Sequence, residues 1–488
     1  MSSLLLSRSI TATLWSAIDA CGRAGLQFLV GLILSRLLLP EQFGVVAMMS
    51  LFTAVASVFV DGGFGCALIQ KQKLAPQDAS SVFYFNIATG LLAMVALYVA
   101  APCIAAFYRR PELVGLTKLM GLNIFIGTFG MVQNALLSRD LDFRTQVRIG
   151  GAAAVISGCV AVILAWLGCG VWSLAVQALL STFISSLLLW YLRPWRPSFC
   201  LNFSALRSLL RFGSYLFLSG IIEAVYTRLY TLIIGRFYSP VDLGLYTRAD
   251  STQQLPSTLF TSVVNRVALP VFSSVAKDNV LLRRGMRKAL SMLMLVNLPV
   301  MLGLAGVSRL LVLILFGQKW LLCVPYLQVL CLVGAMLPLH VINLSVINAM
   351  GRSDLFLRVE IVKKTVGFVI LLITSQTSVL AMAWGQVISG IICFFLNAFY
   401  VGVLIDYTAL NQLRDILPCC LAAFLMFCCV IPLSFLPVKS PVLLLAIQVF
   451  FGAATYWVCC IGFKISGYGD LLKEIKRRLA SAQQFATV

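Results

Sequence analysis

The segment LILSRLLLPEQFGVVAM, residues 32–48, has a second copy, LIIGRFYSPVDLGLYTR, at residues 232–248. The copies align without a gap, and the matching pairs are Leu32/Leu232, Ile33/Ile233, Arg36/Arg236, Pro40/Pro240 and Gly44/Gly244. Each copy reads as an apolar helix that ends near Arg, a turn that contains Pro, and a new helix. The repeat therefore predicts a protein made of two similar halves that face each other.

The surrounding sequence is too apolar for a water-soluble domain, with 60% hydrophobic and 11% charged residues. A membrane-spanning helix takes about 20 residues, so the chain has room for about 14 spans and little else. We expect an all-α polytopic membrane protein without a catalytic or nucleotide-binding domain. The apolar run after Arg8 is too long for the core of a signal peptide and is expected to remain as the first span.

The apolar runs divide the chain into predicted spans and lobes. The spans lie near residues 11–38, 43–68, 80–107, 114–137, 147–168, 170–192, 212–238, 245–273, 289–316, 322–349, 357–375, 378–403, 414–435 and 441–463. They predict a six-helix N-lobe (1–192), a basic cytoplasmic linker (193–211), a six-helix C-lobe (212–403), two further helices (404–463) and an amphipathic tail (464–488). An even number of spans per lobe predicts parallel repeats related by an axis along the membrane normal.

The net charge of +20 is explained by the loops. Most Lys and Arg residues fall in alternate loops, and the opposite loops hold Arg109, Arg110, Arg309, Lys319 and Lys439. This asymmetry is the positive-inside pattern, and it predicts that both termini are cytoplasmic. We therefore expect no nucleic-acid partner.

Cysteine and histidine give no sign of a metal or cofactor site. The 15 cysteines show no metal-binding spacing, and pairs such as Cys419/Cys420 lie in apolar runs where cysteine acts as a small hydrophobic residue. His340 is the only histidine and is expected to be a packed polar residue. We expect no catalytic residue, metal or cofactor.

Ionisable residues at bilayer depth are costly and usually face a water-filled cavity or a partner. In the first span, Asp19 and Arg23 share a helix face, so they could neutralise each other or line a substrate path. Glu223 and Arg228 lie deep in the seventh span, in less favourable register for pairing. The candidate substrate-binding residues are Arg23, Arg228, Arg266 and Lys118, and the candidate ion-coupling residues are Asp19, Asp61, Glu223 and Asp250.

Other charged residues have a structural interpretation. Arg36, Arg236 and Arg248 lie nearer the ends of spans, where a long side chain reaches the interface. Asp61 opens the sequence DGGFG, which favours close helix packing with a flexible point over an ion site. Basic residues outnumber acids within the membrane set, and arginine donors match phosphate oxygens. An anionic substrate is therefore favoured over a cation.

Six segments, in order, carry a family resemblance. They are LSRLLLPEQFGVVAM (34–48), DGGFGCALIQK (61–71), LSRDLDFR (137–144), NRVALPVFSSV (265–275), LFGQKW (315–320) and GRSDLFLRVEIVKK (351–364). With them the chain resembles the Wzx-type polysaccharide-exporter flippases, near the colanic acid and teichuronic acid exporters, of the multidrug/oligosaccharidyl-lipid/polysaccharide superfamily. The resemblance runs from about residue 8 to about residue 435.

The resemblance implies a V-shaped transporter, like those of the multidrug and toxin extrusion group, with two six-helix lobes around a central cavity. It also implies an undecaprenyl-pyrophosphate-linked oligosaccharide as substrate, moved across a bacterial inner membrane for exopolysaccharide, capsule or O-antigen synthesis. Membrane lipid, a polysaccharide polymerase and a co-polymerase are the other expected partners. The alternative interpretations are a multidrug cation antiporter on the same scaffold and, from another class, a membrane glycosyltransferase or polymerase.

Overall fold

The computed structural model describes residue 22 and residues 25–71, 75–199, 203–463 and 465, without the side chains of residues 76, 203–216, 259–260, 262–267 and 269. Every regular element within these ranges is helical. Eleven of the described helices are long and apolar enough to cross a membrane. The chain is an all-helical multi-pass membrane protein, and its contacts form two compact units, Met1–Thr247 and Arg248–Val488.

Unit 1 begins, within the described residues, with a short apolar helix. Its helices are α1 (Gly25–Leu37), α2 (Pro40–Met48), α3 (Ser50–Asp61), α4 (Phe64–Gln70), α5 (Pro76–Tyr108), α6 (Leu113–Arg139), α7 (Phe143–Trp166), α8 (Val171–Leu192) and α9 (Phe203–Phe237). Helix α5 packs on α6, and α8 packs on both α6 and α7. Helix α9 packs on α3, where the ring of Phe217 meets Phe59 edge-on. The seventh predicted span is therefore bound into the same unit as the first six.

Helix α10 (Pro240–Ser274) starts in unit 1 and continues into unit 2. The other helices of unit 2 are α11 (Asn279–Leu315), a 3₁₀ turn η1 (Gln318–Cys323), α12 (Val324–Ala349), α13 (Ser353–Thr374), α14 (Val379–Ile405), α15 (Ala409–Leu433) and α16 (Pro441–Gly462). Helix α11 is central in unit 2, with α12, α15 and α16 packed around it. The Tyr456 hydroxyl donates to the Leu295 carbonyl oxygen at 2.7 Å, which ties α16 to α11.

The helix ends follow local chemistry. Pro40, Pro76 and Pro240 stand at the first helical position, where the missing N–H costs no hydrogen bond. Asp278 caps α11 by accepting from the amides of Val280 and Leu281, at 2.9 and 3.0 Å. The observed helices begin and end within about five residues of most predicted spans. The exceptions are α9 and α11, which start at Phe203 and Asn279, well before the predicted residues 212 and 289, so the predicted linker is shorter than expected.

Three predicted spans lie outside the set of eleven: the first, of which only the short helix α1 is described, and those of α10 and α13. Helices α10 and α13 carry several charged side chains, Arg248 and Asp250 on α10 and Arg358, Glu360 and Lys363 on α13. Large apolar side chains on many other helices are exposed, as lipid contact requires; Val99, Phe450 and Val403 are examples. Helix α13 likewise exposes Leu357, Ile361 and Ile373. Between residues 248 and 258, by contrast, the exposed side chains of α10 are all polar: Ser251, Gln254 and Thr258.

Candidate functional site

The two copies of the repeat touch each other in unit 1. A Cβ atom built on Gly44 would overlap the carbonyl oxygen of Pro240, and one built on Gly244 would overlap the carbonyl oxygen of Pro40. The contact is reciprocal, so the first turns of α2 and α10 cross with their backbones in direct approach. Only glycine allows this approach. The two repeat copies therefore contact each other at this crossing, while the arrangement of two similar halves that face each other stays a prediction.

Each copy also caps its new helix in the same way. The Gln42 side-chain oxygen accepts from the Leu39 amide at 2.9 Å. In the second copy, the Asp242 carboxylate accepts from the Ser239 amide at 3.3 Å, while the Ser239 hydroxyl accepts from the Asp242 amide at 3.1 Å. The repeated sequence therefore encodes one turn geometry twice.

The arginines before these turns have different surroundings. The Arg236 guanidinium lies over the Phe107 ring, 5.0 Å from its centroid, whereas Arg36 is exposed. Arg248, expected to reach the interface, is instead only 7% exposed, and its guanidinium carbon lies over the rings of Phe316 and Trp320, 5.1 and 5.3 Å from their centroids. Both rings belong to the LFGQKW segment, so aromatic faces replace the water that the guanidinium gives up.

The candidate residues of the first predicted span, Asp19 and Arg23, lie outside the described residues, as does the predicted tail helix. Arg266 falls in α10, but its side chain also lies outside the described part. Glu223 and Arg228 are exposed on α9, and Arg228 forms no ion pair with a described residue. Lys118 is exposed near the start of α6. The three described side chains are thus accessible on unit 1.

Asp61 ends α3 at a break in the second predicted span. Gly62 and Gly63 have φ angles of 55° and 77°, in the left-handed region that favours glycine. The Asp61 carboxylate lies against the backbone at the start of α4, where a Cβ atom built on Gly65 would be 2.9 Å from its Oδ1 atom. Asp61 therefore stands beside a helix start inside the span. The predicted flexible point is a real helix break, while the ion-coupling role of Asp61 stays a prediction.

A polar stripe on α10 was not predicted as a unit. It consists of Asp250, Ser251, Gln254, Thr258 and Thr261, which share one helix face by their spacing of three and four residues. Ser251, Gln254 and Thr258 are exposed, and the Gln254 amide donates to Asp250 at 2.7 Å. The stripe runs along the helix well into its length. The spacing of these residues is present in the sequence, but the predicted site was built from charged residues alone.

The other face of α10 is also polar, but buried. Gln253 donates to the Ser257 hydroxyl at 2.6 Å, and Thr252 donates to the Arg248 carbonyl at 2.8 Å. A Cβ atom on Gly334 would collide with the Gln253 side chain, so α12 approaches α10 closely at this glycine. This face anchors α10 in unit 2 and leaves the polar stripe exposed.

Unit 2 holds further buried amides whose contacts are internal. Asn343 and Gln412 exchange two hydrogen bonds of 3.0 Å between α12 and α15. His340 and Asn397 lie 3.3 Å apart, which confirms His340 as a packed polar residue. Among the described residues, no cluster of His, Cys, Asp or Glu could hold a metal, and the described cysteines are free.

The sequence profile of a family described as "Polysaccharide biosynthesis protein" matches residues 33–325, more than half of the chain. The teichuronic acid biosynthesis protein TuaB of Bacillus subtilis is 30% identical over 356 residues, which cover 72% of this chain and 74% of TuaB. The lipopolysaccharide biosynthesis protein WzxC of Escherichia coli is 27% identical over 365 residues, 74% of this chain and 73% of WzxC.

A solved structure shares the fold over most of the chain. The lipid II flippase MurJ, in an inward closed conformation, superposes with a TM-score of 0.75. The match covers 94% of this chain and 99% of MurJ at 15% identity, so it establishes the fold alone. Profile, relatives and fold support the resemblance stated from the six sequence segments, and the chain belongs to the polysaccharide biosynthesis protein family.

Proposed function

We propose that this protein is a flippase that moves undecaprenyl-pyrophosphate-linked oligosaccharide repeat units across the bacterial inner membrane. The observation that carries the proposal is the exposed polar stripe of α10. A carboxylate, an amide and hydroxyls on one face of a membrane-crossing helix are unfavourable against hydrocarbon. They fit a helix that faces water or the hydroxyl groups of a glycan.

The substrate class follows from the family and from the charges. TuaB and WzxC are named for teichuronic acid and lipopolysaccharide biosynthesis, and MurJ for flipping lipid II. A glycan that crosses beside polar side chains avoids the cost of burying its hydroxyls in hydrocarbon, while the polyprenyl tail stays in lipid. Arg23, Arg228, Arg266 and Lys118 would meet the pyrophosphate and any acidic sugars.

The mechanism that we infer is alternating access, with about fourteen spanning helices in two six-helix lobes and two additional C-terminal helices. A ligand that binds the inward-open and outward-open states equally does not shift the equilibrium between them. The direction of transport therefore requires a second source of free energy. Asp19, Asp61, Glu223 and Asp250 are the candidates for ion coupling. Both termini would be cytoplasmic, and a polymerase with its co-polymerase would consume the product. We therefore assign this protein a transport function and no catalytic step.

The test is made in the native host. Deletion of the gene should trap lipid-linked repeat units on the cytoplasmic leaflet and abolish the surface polysaccharide. Complementation with Arg228→Ala should restore less than about a tenth of the polymer, because a cavity guanidinium that binds phosphate contributes on the order of 1.5–3 kcal/mol. Arg148→Ala is the matched control, since Arg148 is likewise exposed but lies at the start of α7.

Full export by the Arg228→Ala variant at native expression would mean that Arg228 does not belong to the anion site. Absence of trapped lipid-linked repeat units in the deletion strain would contradict the flippase itself. The cation antiporter makes the opposite prediction: loss of drug resistance after neutralisation of Asp61 or Asp250, with Arg228→Ala harmless.

A further inference from the structure

A basic cavity lies in unit 2, and no residue of the polar stripe of α10 lines it. The first turns of α11 and the end of α14 enclose a cavity of about 600 Å³. Its lining includes Arg283, Arg284, Arg287, Asp406, Val280 and Val403. This volume lies within the range of roughly 300–1,000 Å³ that is usual for small-ligand sites. We call it the basic cavity.

The walls of the basic cavity are fixed by contacts between α11 and the α14–α15 connection. The Asn279 amide donates to the Leu404 carbonyl at 3.3 Å. Arg287 pairs with Asp415 at 2.5 Å, and the hydroxyl of buried Tyr407 donates to the other oxygen of Asp415 at 2.7 Å. Two contacts therefore join α11 to the end of α14 and the start of α15, and the Tyr407 hydroxyl positions the Asp415 carboxylate for one of them.

The charge of the basic cavity is positive even after these pairs are counted. Arg283 lies 3.3 Å from Asp406, whose side chain is 90% exposed, so water screens this pair. Arg284 is exposed and pairs with no described acid. Asp278 already occupies the first amides of α11, so an anion here would be held by guanidinium groups. Such groups offer paired donors that match phosphate oxygens.

The rim of the basic cavity is apolar. Val280 and Val403 line it and are 61% and 72% exposed. A free phosphate gains nothing from exposed valines, whereas a phospholipid places its headgroup against cations and its glycerol and acyl carbons against apolar side chains. Basic pockets between membrane helices are a known way to hold anionic lipid headgroups.

We propose that the basic cavity binds the phosphodiester headgroup of an anionic phospholipid. Arg283 and Arg284 hold the phosphate, and Val280 and Val403 contact the start of the acyl chains. By the distribution of basic loops, this end of unit 2 is on the cytoplasmic side, where anionic lipids attract such residues. The site is separate from the transport proposal, because it uses none of the residues assigned to the substrate.

The experiment measures retention of phosphatidylglycerol by the purified full-length protein, using native mass spectrometry with phosphatidylcholine as the zwitterionic reference. Arg283→Gln with Arg284→Gln should weaken phosphatidylglycerol binding by about ten-fold or more and leave phosphatidylcholine retention unchanged. Lys277→Gln with Arg358→Gln is the matched control: it removes the same charge from exposed residues outside the cavity lining. It should change binding by less than about two-fold. Equal melting temperatures establish that both variants fold.

Three results would overturn the proposal. Equal losses in the two double variants would mean that general surface charge holds the lipid. Displacement of phosphatidylglycerol by millimolar inorganic pyrophosphate, from the wild type and the control variant alike, would mean a site for a free anion. Selective retention of undecaprenyl phosphate over phosphatidylglycerol would assign the cavity to the transport substrate. Because the readout is lipid binding, failure of the flippase proposal leaves this test intact.

Discussion

The two copies of the repeat share a backbone geometry but present different side chains to their surroundings. After the first crossing, Leu51, Val55 and Phe59 of α3 line an apolar cavity of about 500 Å³ together with α5 and Val225 of α9. After the second crossing, α10 exposes Ser251, Gln254 and Thr258. The helix of the first copy breaks at Gly62 and Gly63, whereas α10 is continuous from Pro240 to Ser274.

The difference is sharpest at one pair of corresponding residues. Met48 is 1% exposed in the core of unit 1, and its counterpart Arg248 is enclosed by Phe316 and Trp320 in unit 2. The glycines and prolines that make the turns are kept in both copies, because the crossing needs them twice. The side chains beyond the turns have diverged, and the polar stripe follows the second copy alone. The repeated glycines and prolines therefore set the backbone crossing, and the residues after the two copies differ in what they present to their surroundings.

Met48→Arg should give the largest effect, because it places the charge of the second copy in the apolar site of the first. An unpaired charge buried at this position should destabilise the protein by roughly 3–5 kcal/mol. The measurement is the thermal unfolding midpoint of the purified protein in detergent. A midpoint within two degrees of wild type would mean that the first copy tolerates the chemistry of the second.

Gly44→Ala and Gly244→Ala test whether the crossing is reciprocal. Each new methyl group meets a backbone carbonyl that cannot rotate away, so each variant should lose about 1–3 kcal/mol, and the losses should be similar. Gly462→Ala is the control, since a Cβ atom there meets nothing within 4 Å. Denaturant unfolding would measure all three. A loss in only one of the two crossing variants would contradict a symmetric contact.

Ser251→Leu combined with Gln254→Ala gives α10 the residues found at positions 51 and 54 of the first copy. Export should fall about ten-fold, since the polar face loses two hydrogen-bonding groups of about 0.5–1.5 kcal/mol each. Stability should change by less than about 0.5 kcal/mol, because both residues are exposed. Surface polysaccharide and melting temperature are the two readouts. Normal export by this variant would mean that the polar stripe does not line the substrate path.

Arg248→Met should give the smallest effect of the series. Methionine packs well against aromatic rings, and replacement of a buried charge by an apolar side chain of similar length is often close to neutral. We expect a stability change within about 1 kcal/mol and near-normal export. Loss of export by a variant with wild-type stability would mean that Arg248 contributes to the substrate path and not only to the fold.

Sequence alone predicted those parts of the molecule that depend on local order. The apolar runs, the repeated turn at Pro40 and Pro240 and the break after Asp61 all arise from residues close together in the chain. The environment of Arg248 depends on Phe316 and Trp320, which are distant in sequence, so its burial could not be read from its position in a span. The assignment of α9 to unit 1 likewise depends on its contacts with α3.

The candidate site shows the same division. The stripe of α10 has a spacing that the sequence contains, and a count of uncharged polar residues along one helix face would have found it. The exposure of Arg228 required tertiary structure, because charge and depth alone do not show whether a side chain is accessible. The two lobes, residues 1–192 and 212–403, were predicted from the sequence repeat and the apolar runs. That these lobes move against each other remains a proposal.

The most direct measurement is transbilayer movement in liposomes that contain the purified protein and an undecaprenyl-pyrophosphate-linked oligosaccharide. An impermeant glycosidase added outside reports the fraction of glycan that is accessible over time. The account predicts that wild-type protein brings the inner-leaflet glycan to the outer face, and that Ser251→Leu/Gln254→Ala and Arg228→Ala slow this movement about ten-fold while Arg148→Ala does not. Accessibility that stays at the outer-leaflet fraction with folded wild-type protein, in the presence and absence of an ion gradient, would contradict the account.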